Sequence, residues 1–494
     1  MVINIILAIL VLSIIIIIHE FGHFIVAKAN GITVVEFSLG FGPKLIHFKK
    51  GETEYSLKLL PFGGACIMLG EDFLEADDDE QEDATEGNNT GKAGSELDND
   101  FCNGKTAEDN GFGNTSRYSS DNTSAGSYMS EKKKQEALEA GYDMSKSFAN
   151  KSVWARIAVI AAGPIFNFIL AFVCSVVIIG SKGYDPCMVD VVYDNSPAVS
   201  AGLQEGDKII KVNNQKITFY RDYSFYRVYH ADDTMNITYE RDGQKYTTTL
   251  TPEYVKQQKY QMGVTLEQNG TIAGVSDGTP AQKAGIKKGD IITAVNGVAV
   301  DGSTKIIELV GQCNGESVDI TINRDGSTMQ LNVTPDSVEN EYYYTGFASY
   351  GARQKVSPIS VIGYAFKEVG YSVNTVVKSL GMMFTGQVGI NDLSGPVGTV
   401  SAMSNIVEES KADGTFYVIL NLLNLAGLIS ANLGVMNLLP IPALDGGRLV
   451  FLILEVLRGK PVKKEHEGMV HFVGMIFLFV LMIYVMFKDI RGLF

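Results

Sequence analysis

Cysteine, histidine and positive charge are all scarce in this chain. Its five cysteines (Cys66, Cys102, Cys174, Cys187 and Cys313) are scattered over 494 residues with no CxxC pair. That pattern suggests neither a disulfide scaffold nor a cysteine-based zinc site. The 41 Lys/Arg against 56 Asp/Glu leave a net charge of −15, which argues against a nucleic-acid partner. The deficit is local: between Glu71 and Ser145 there are 20 Asp/Glu and only 6 Lys/Arg. Gly, Asn, Ser and Thr abound there and aliphatic side chains are few. Such a stretch cannot bury enough apolar surface to offset its chain entropy, so residues 76–150 read as a disordered acidic insertion, on the cytoplasmic side by the charge rule applied below. No basic n-region precedes the apolar N-terminus and no small-residue cleavage site follows it, which speaks against a secretory signal.

Long apolar runs are what the chain has in quantity. Four segments have the length and apolarity to cross a bilayer: Val2 to about Ala27, Ile157 to Ile179, Phe416 to Leu439 and Met469 to Phe487. Lys and Arg cluster after the first span (Lys28, Lys44, Lys49, Lys50, Lys132 to Lys134, Lys151, Arg156) and after the third (Arg448, Arg458, Lys460, Lys463, Lys464). Both regions are therefore expected on the cytoplasmic side, with the N-terminus and residues 181–415 outside. A fifth apolar stretch, about Val356 to Met383, carries Lys367, Glu368 and Lys378 near one face. It reads as an amphipathic helix, either on the outer leaflet or packed against the spans.

The first span ends in His19-Glu20-Phe21-Gly22-His23. HExxH sets two His one helical turn apart on one face, where both imidazoles reach one Zn²⁺ and the Glu can take a proton from its water. At about 1.5 Å per residue His19 lies roughly 25 Å along an apolar helix. Ionisable groups at that depth are costly and functional by default. A lone His is more often a satisfied core group, but only six His occur in the chain, and two of them stand at i, i+4 around a Glu. The third span ends in Asn437-Leu-Leu-Pro440-Ile-Pro442-Ala-Leu-Asp445-Gly446-Gly447. Two prolines at i, i+2 break the helix. Asp445 is then either a turn or N-cap residue, or the third ligand of a His₂Asp site that keeps a fourth position for water. With four spans, the first and third motifs reach the same side of the membrane. With five they would lie a bilayer apart.

These motifs, with Gly163-Pro164-Ile-Phe-Asn167 opening the second span, resemble the site-2 protease family of intramembrane zinc metalloproteases, and within it the bacterial RseP/RasP type with tandem PDZ domains. The resemblance covers most of the chain outside residues 76–145. It implies His19, His23 and Asp445 as zinc ligands and Glu20 as general base. Asn437 either holds substrate or a developing oxyanion, or bonds the broken helix. Asn167 either binds substrate or packs a span. The resemblance also implies hydrolysis within transmembrane segments of single-pass proteins, such as trimmed anti-sigma factors and remnant signal peptides. An upstream site-1 protease would act on the same substrate, and the place would be the bacterial plasma membrane.

From Phe37 to Leu69 the pattern changes to short strands and turns, with alternation that predicts a hairpin. The resemblance places this region beside the active site, where a strand edge can pair with an unwound substrate and Gly63 and Gly64 are candidate substrate contacts. Outside, residues repeat at an offset of 83: Pro197 with Pro280, Gly206-Asp207 with Gly289-Asp290, Asn213 with Asn296, and Arg241-Asp-Gly243 with Arg324-Asp-Gly326. Such regularity predicts two copies of one fold, and SPAxxAGLxxGDxIxxVN resembles a PDZ domain. The expected fold class is an α-helical polytopic membrane protein with about four transmembrane helices, a membrane-associated β-hairpin region, and two α+β PDZ-like domains. The expected divisions are 1–30, 31–75, 76–150, 151–182, PDZ-like domains at 183–256 and 257–338, an amphipathic or juxtamembrane region at 339–415, then 416–448 and 449–494. A catalytically dead scaffold would need a defect not visible in the four core residues. A transporter built on the broken third helix would need inverted hydropathy repeats, and none is found.

Overall fold

The structure, a computed structural model, describes residues 2–71, 138, 141–387, 389, 393, 395–411 and 414–491. Nearly all of the acidic insertion expected at 76–150 lies outside them. The described chain divides into two compact units, residues 1–182 with 355–494, and residues 183–354.

In the first unit, α1 (Val2–Ala29) leads into β1 (Val34–Lys50) and β2 (Thr53–Met68). Both strands fold back on themselves at left-handed glycines, Gly40, Gly42 and Gly63, which take that conformation without a Cβ penalty. The result is a four-stranded sheet. Lys44–Lys50 pairs with Thr53–Lys58 as the expected hairpin. Glu36 to Leu39 lies beside Glu54 to Leu57 with both numbers rising together, a parallel ladder, and its other side pairs antiparallel with Gly64 to Met68. Segment 64–68 is therefore an edge among the described residues. Within the sheet, Glu36 accepts hydrogen bonds from Ser56 (2.7 Å) and pairs with Lys58 (3.0 Å) and Lys44 (3.1 Å). Burial alone would raise its carboxyl, but these three partners outweigh it and hold the pKa at about 2.

Then α2 (Val153–Lys182) runs through Pro164. After the second unit come α3 (Pro358–Phe384), α4 (Pro396–Ser410), α5 (Thr415–Leu438), α6 (Asp445–Arg458) and α7 (Lys464–Arg491). Four of the described helices are long and apolar enough to cross a membrane, Ile3–Ala29, Val153–Lys182, Thr415–Leu438 and Glu465–Arg491, and they coincide with the four predicted spans. Helix α3 does not reach that apolarity and packs against α2, its Phe366 ring 4.5 Å from Phe172. Of the two placements expected for it, packing against the spans is the one found. Helix α4 lies inside the stretch read only as juxtamembrane, and Asp489 of α7 accepts from Gly395 N (2.9 Å) and Gly398 N (2.8 Å) at its start.

Small residues bring α1, α2 and α5 together, as packing inside a membrane favours. A Cβ on Gly22 would lie 2.5 Å from Ala162 O, and one on Gly434 2.9 Å from Phe168 Cε1. Ser430 donates to Asn167 O at 2.8 Å. The chain unwinds after Leu438 because Leu439, ahead of Pro440, takes an extended conformation.

The second unit contains two copies of one fold, each with its own core. Their equivalence extends to side chains: Arg241 clamps Asp207 (2.6 Å) and Arg324 clamps Asp290 (2.7 Å). Asn213 and Asn296 both take a left-handed backbone. Strands β3 (Glu253–Gln261) and β4 (Asp336–Tyr344) also stand 83 apart, and they pair with each other antiparallel. Gln257 faces its own counterpart, Asn340, so a local twofold axis passes through this ribbon. The expected boundaries need correction here. Phe347 belongs to the core of the first copy, and Phe347–Ala348 pairs with Val191–Val192. The first copy is thus 183–252 completed by 345–354, and the second is inserted into it. A repeat read along the chain could not reveal this, because Phe347 joins its core only through tertiary packing. The ends of the unit meet where Tyr184 N donates to Gln354 O (3.1 Å) and Gln354 N to Tyr184 O (2.8 Å).

Candidate metal centre

His19 and His23 lie one turn apart on α1, both 7% exposed, with ring centroids 4.9 Å apart. Asp445 opens α6 and turns its carboxylate to both: Oδ2 is 3.2 Å from His19 Nε2 and 3.4 Å from His23 Nε2. The two Nε2 atoms are 3.3 Å apart. A tetrahedral zinc with bonds of about 2.0–2.1 Å needs ligand atoms about 3.3 Å apart, so the triangle fits that ion. Asp445 Oδ2 is buried and takes no hydrogen bond, which fits an oxygen able to bind a cation. These are the residues that group as a metal site among those described.

The outer nitrogens of the imidazoles are held as ligation requires. His23 Nδ1 donates to Val159 O at 2.8 Å, leaving the lone pair on Nε2. His19 Nδ1 lies 3.0 Å from the Asn167 amide. That amide is fully buried, and in this orientation its Oδ1 has no partner. Turned over, Asn167 accepts from His19 Nδ1–H, satisfies its oxygen and frees His19 Nε2. Asn167 thus sits behind His19, on the ring nitrogen opposite the one that faces Asp445. Asn437 Nδ2 is 3.2 Å from His19 Nε2, half-buried at the end of α5 and beside the ligand atoms.

Close approach explains the glycines. A Cβ on Gly163 would lie 2.3 Å from His23 Nε2 and 2.8 Å from His19 Cε1. One on Gly64 would lie 2.9 Å from Glu20 Cγ, so the sheet edge meets the carboxylate side chain only because position 64 is bare. Gly63 serves the bend before it.

A cavity of about 540 Å³ is lined by His19, His23, Asp445, Glu20, Gly64 to Met68, Glu71, Ile160, Ala443 and Arg448. Burial pushes the Cys66 thiol well above its usual range. Glu71 accepts from Met68 N at 3.3 Å and forms a hydrogen-bonded ion pair with Arg448, tying the strand edge to the helix that carries Asp445. Sequence reasoning anticipated the residues that meet here. It missed the steric role of Gly163, the Val159 carbonyl and the Glu71–Arg448 tie. Gly163 and Asn167 do stand at i, i+4, a signal that they share a face.

The profile of peptidase family M50 matches residues 7–481. Zinc metalloprotease RasP of Bacillus licheniformis is 30% identical over 511 residues, covering 98% of both chains. Regulator of sigma-W protease RasP of Bacillus subtilis is 30% identical over 506 residues, covering 96% of this chain and 95% of that one. Among solved structures, the HtrA3 PDZ domain bound to a phage-derived ligand is 19% identical over 17% of this chain and 93% of its own, with a TM-score of 0.16. A matched profile over nearly the whole length, on a chain whose spans converge on two His and one Asp, identifies a zinc-dependent metalloendopeptidase: this protein belongs to peptidase family M50, the site-2 proteases.

Proposed function

We propose that this chain cuts transmembrane segments of single-pass membrane proteins, inside the bilayer and near its cytoplasmic face, in a bacterial plasma membrane. The observation that carries this reading is the shared cavity: a strand edge unpaired among the described residues, Gly64 to Met68, and the three proposed ligand residues line the same space. A helical substrate must unwind before its peptide bond is exposed, and an edge strand can hold the unwound backbone by β-addition. The Lys/Arg-rich segments after the first and third spans support a cytoplasmic site.

His19, His23 and Asp445 would hold the zinc, which supplies Lewis acidity and brings a water's pKa near 7. Glu20 takes the proton of the attacking water and delivers it to the leaving amide nitrogen. Asn437 is placed to donate to the carbonyl oxygen as charge develops on it. The two repeated modules are read as PDZ-like, and their role as a filter that admits substrates already trimmed by a site-1 protease. Anti-sigma factors and remnant signal peptides are the substrate classes that fit.

The test is cleavage of a single-pass reporter by the purified protein. Wild type should cut it. Glu20→Gln should retain zinc by elemental analysis while losing about 10²–10⁴-fold in rate, the usual worth of a positioned base. Full activity in that variant rules out the assigned base.

A further inference from the structure

We propose that His471, on the last span, is a positioning residue for Asp445; this rests on Asp445 being a zinc ligand. The loop between α5 and α6 must turn the Asp445 carboxylate toward two imidazoles on another helix. It does so through an uncomfortable backbone. Ala443, two residues earlier, has φ of +74°, a left-handed conformation that its Cβ disfavours and that persists only when neighbours hold it. Helix α7 supplies that hold. The Ala443 N–H donates to His471 Nδ1 at 2.9 Å, and His471 is 4% exposed, its ring 5.5 Å from Phe451 of α6. Three residues further along α7, Gly474 lies against the same loop: a Cβ there would be 2.4 Å from Pro442 Cβ and 2.7 Å from Pro442 O. Residues 471 and 474 share one helical face, so α7 meets the loop with an acceptor and a bare backbone side by side. From the other side, Gly446 and Gly447 bring the start of α6 onto residues 438–442.

The catalytic steps make no use of His471, yet it is an ionisable residue placed inside a span. Its contact explains that expense: it accepts the one backbone donor whose geometry sets the direction of the next residues. Without the acceptor, the Ala443 N–H loses the partner that holds its left-handed backbone, and rotation there relieves strain while carrying Asp445 Oδ2 away from His19 and His23.

The experiment uses the full-length protein in detergent, stripped of metal. Zinc affinity is measured by chelator competition, and the visible absorption of the Co²⁺ form reports ligand geometry. His471→Leu should weaken zinc about tenfold, at the low end for residues that support metal ligands, and should alter the Co²⁺ bands. His471→Asn keeps an acceptor near Nδ1 and should stay within about threefold of wild type. Adding Ala443→Gly to His471→Leu should recover most of the loss, because glycine takes a positive φ without strain. Wild-type affinity and spectrum in His471→Leu overturn the proposal. So does a loss that neither His471→Asn nor Ala443→Gly repairs, which would mean His471 only packs the span. Asp445→Ala separates this inference from the ligand assignment: unchanged zinc binding there removes both, whereas lost binding there with normal binding in His471→Leu removes only the role of His471.

Discussion

Asn167 shows how much a single buried amide can decide. It is fully buried behind His19, and a ligand imidazole whose outer nitrogen loses its partner can take the wrong tautomer or rotate. Asn167→Leu should therefore lower zinc affinity by about 10–100-fold, read by chelator competition, while leaving the spans folded. An unchanged affinity would assign Asn167 to packing alone. Asn167→Asp is the informative partner, since a carboxylate can still accept from His19 Nδ1–H and should retain most of the affinity.

At the scale of elements, the sheet edge makes a periodicity prediction. Cys66 stands in the edge segment and lines the catalytic cavity. If substrate adds to that edge as a strand, its side chains alternate with a period of two, whereas a bound helix repeats every 3.6 residues. Single cysteines walked through a reporter substrate, in Glu20→Gln protein so that complexes persist, should crosslink to Cys66 at alternate positions. A helical period in the crosslinks would refute β-addition, and Cys66→Ala supplies the background.

A second element-scale prediction concerns pH. The Arg324 guanidinium, hydrogen-bonded to Asp290, holds that carboxyl below its ordinary value despite burial. Its folded pKa is therefore lower than its unfolded one, near 3.9. The contribution to stability is complete above about pH 4 and is lost as pH falls below that toward the folded value. The stability gap between wild type and Asp290→Asn, followed by hydrogen exchange of the Val318–Arg324 amides, should narrow below about pH 4. A gap that stays constant down to pH 3 would show that the pair does not set the titration.

For the whole molecule, the nested arrangement of the two repeats changes how residues 183–354 can be removed. A cut at residues 190–336, which the repeat alone suggests, would strand Phe347 and its strand without their core. Removal of 183–354 takes out a complete unit whose ends already meet at Tyr184 and Gln354, so a short flexible joint suffices. If the modules filter, that deletion should allow cutting of a substrate that still carries its outer domain. If they recruit, cleavage of trimmed substrate should fall as well. Cleavage of both substrate forms, with and without the unit, distinguishes the two, and loss of all cleavage in a folded deletion would reject the filter.

Local chemistry and periodicity determined the four apolar spans, the hairpin, the duplication at an offset of 83 and the pairing of two His on one helical face. Apolar runs, HExxH and a proline-broken helix are written in neighbouring residues, and span parity put the motif that carries Asp445 on the same side as HExxH. Packing decided the rest. Gly163 matters because two imidazoles from another helix pass beside it, and Asn167 because His19 meets it across a helix pair. The parallel ladder in the sheet arises where each long strand doubles back. Phe347 completes a core whose other members precede it by a whole inserted module. His471 drew no notice in the sequence, and only the fold sets it against the Ala443 N–H. Each of these depends on atoms far apart along the chain and close in space, which no local pattern records.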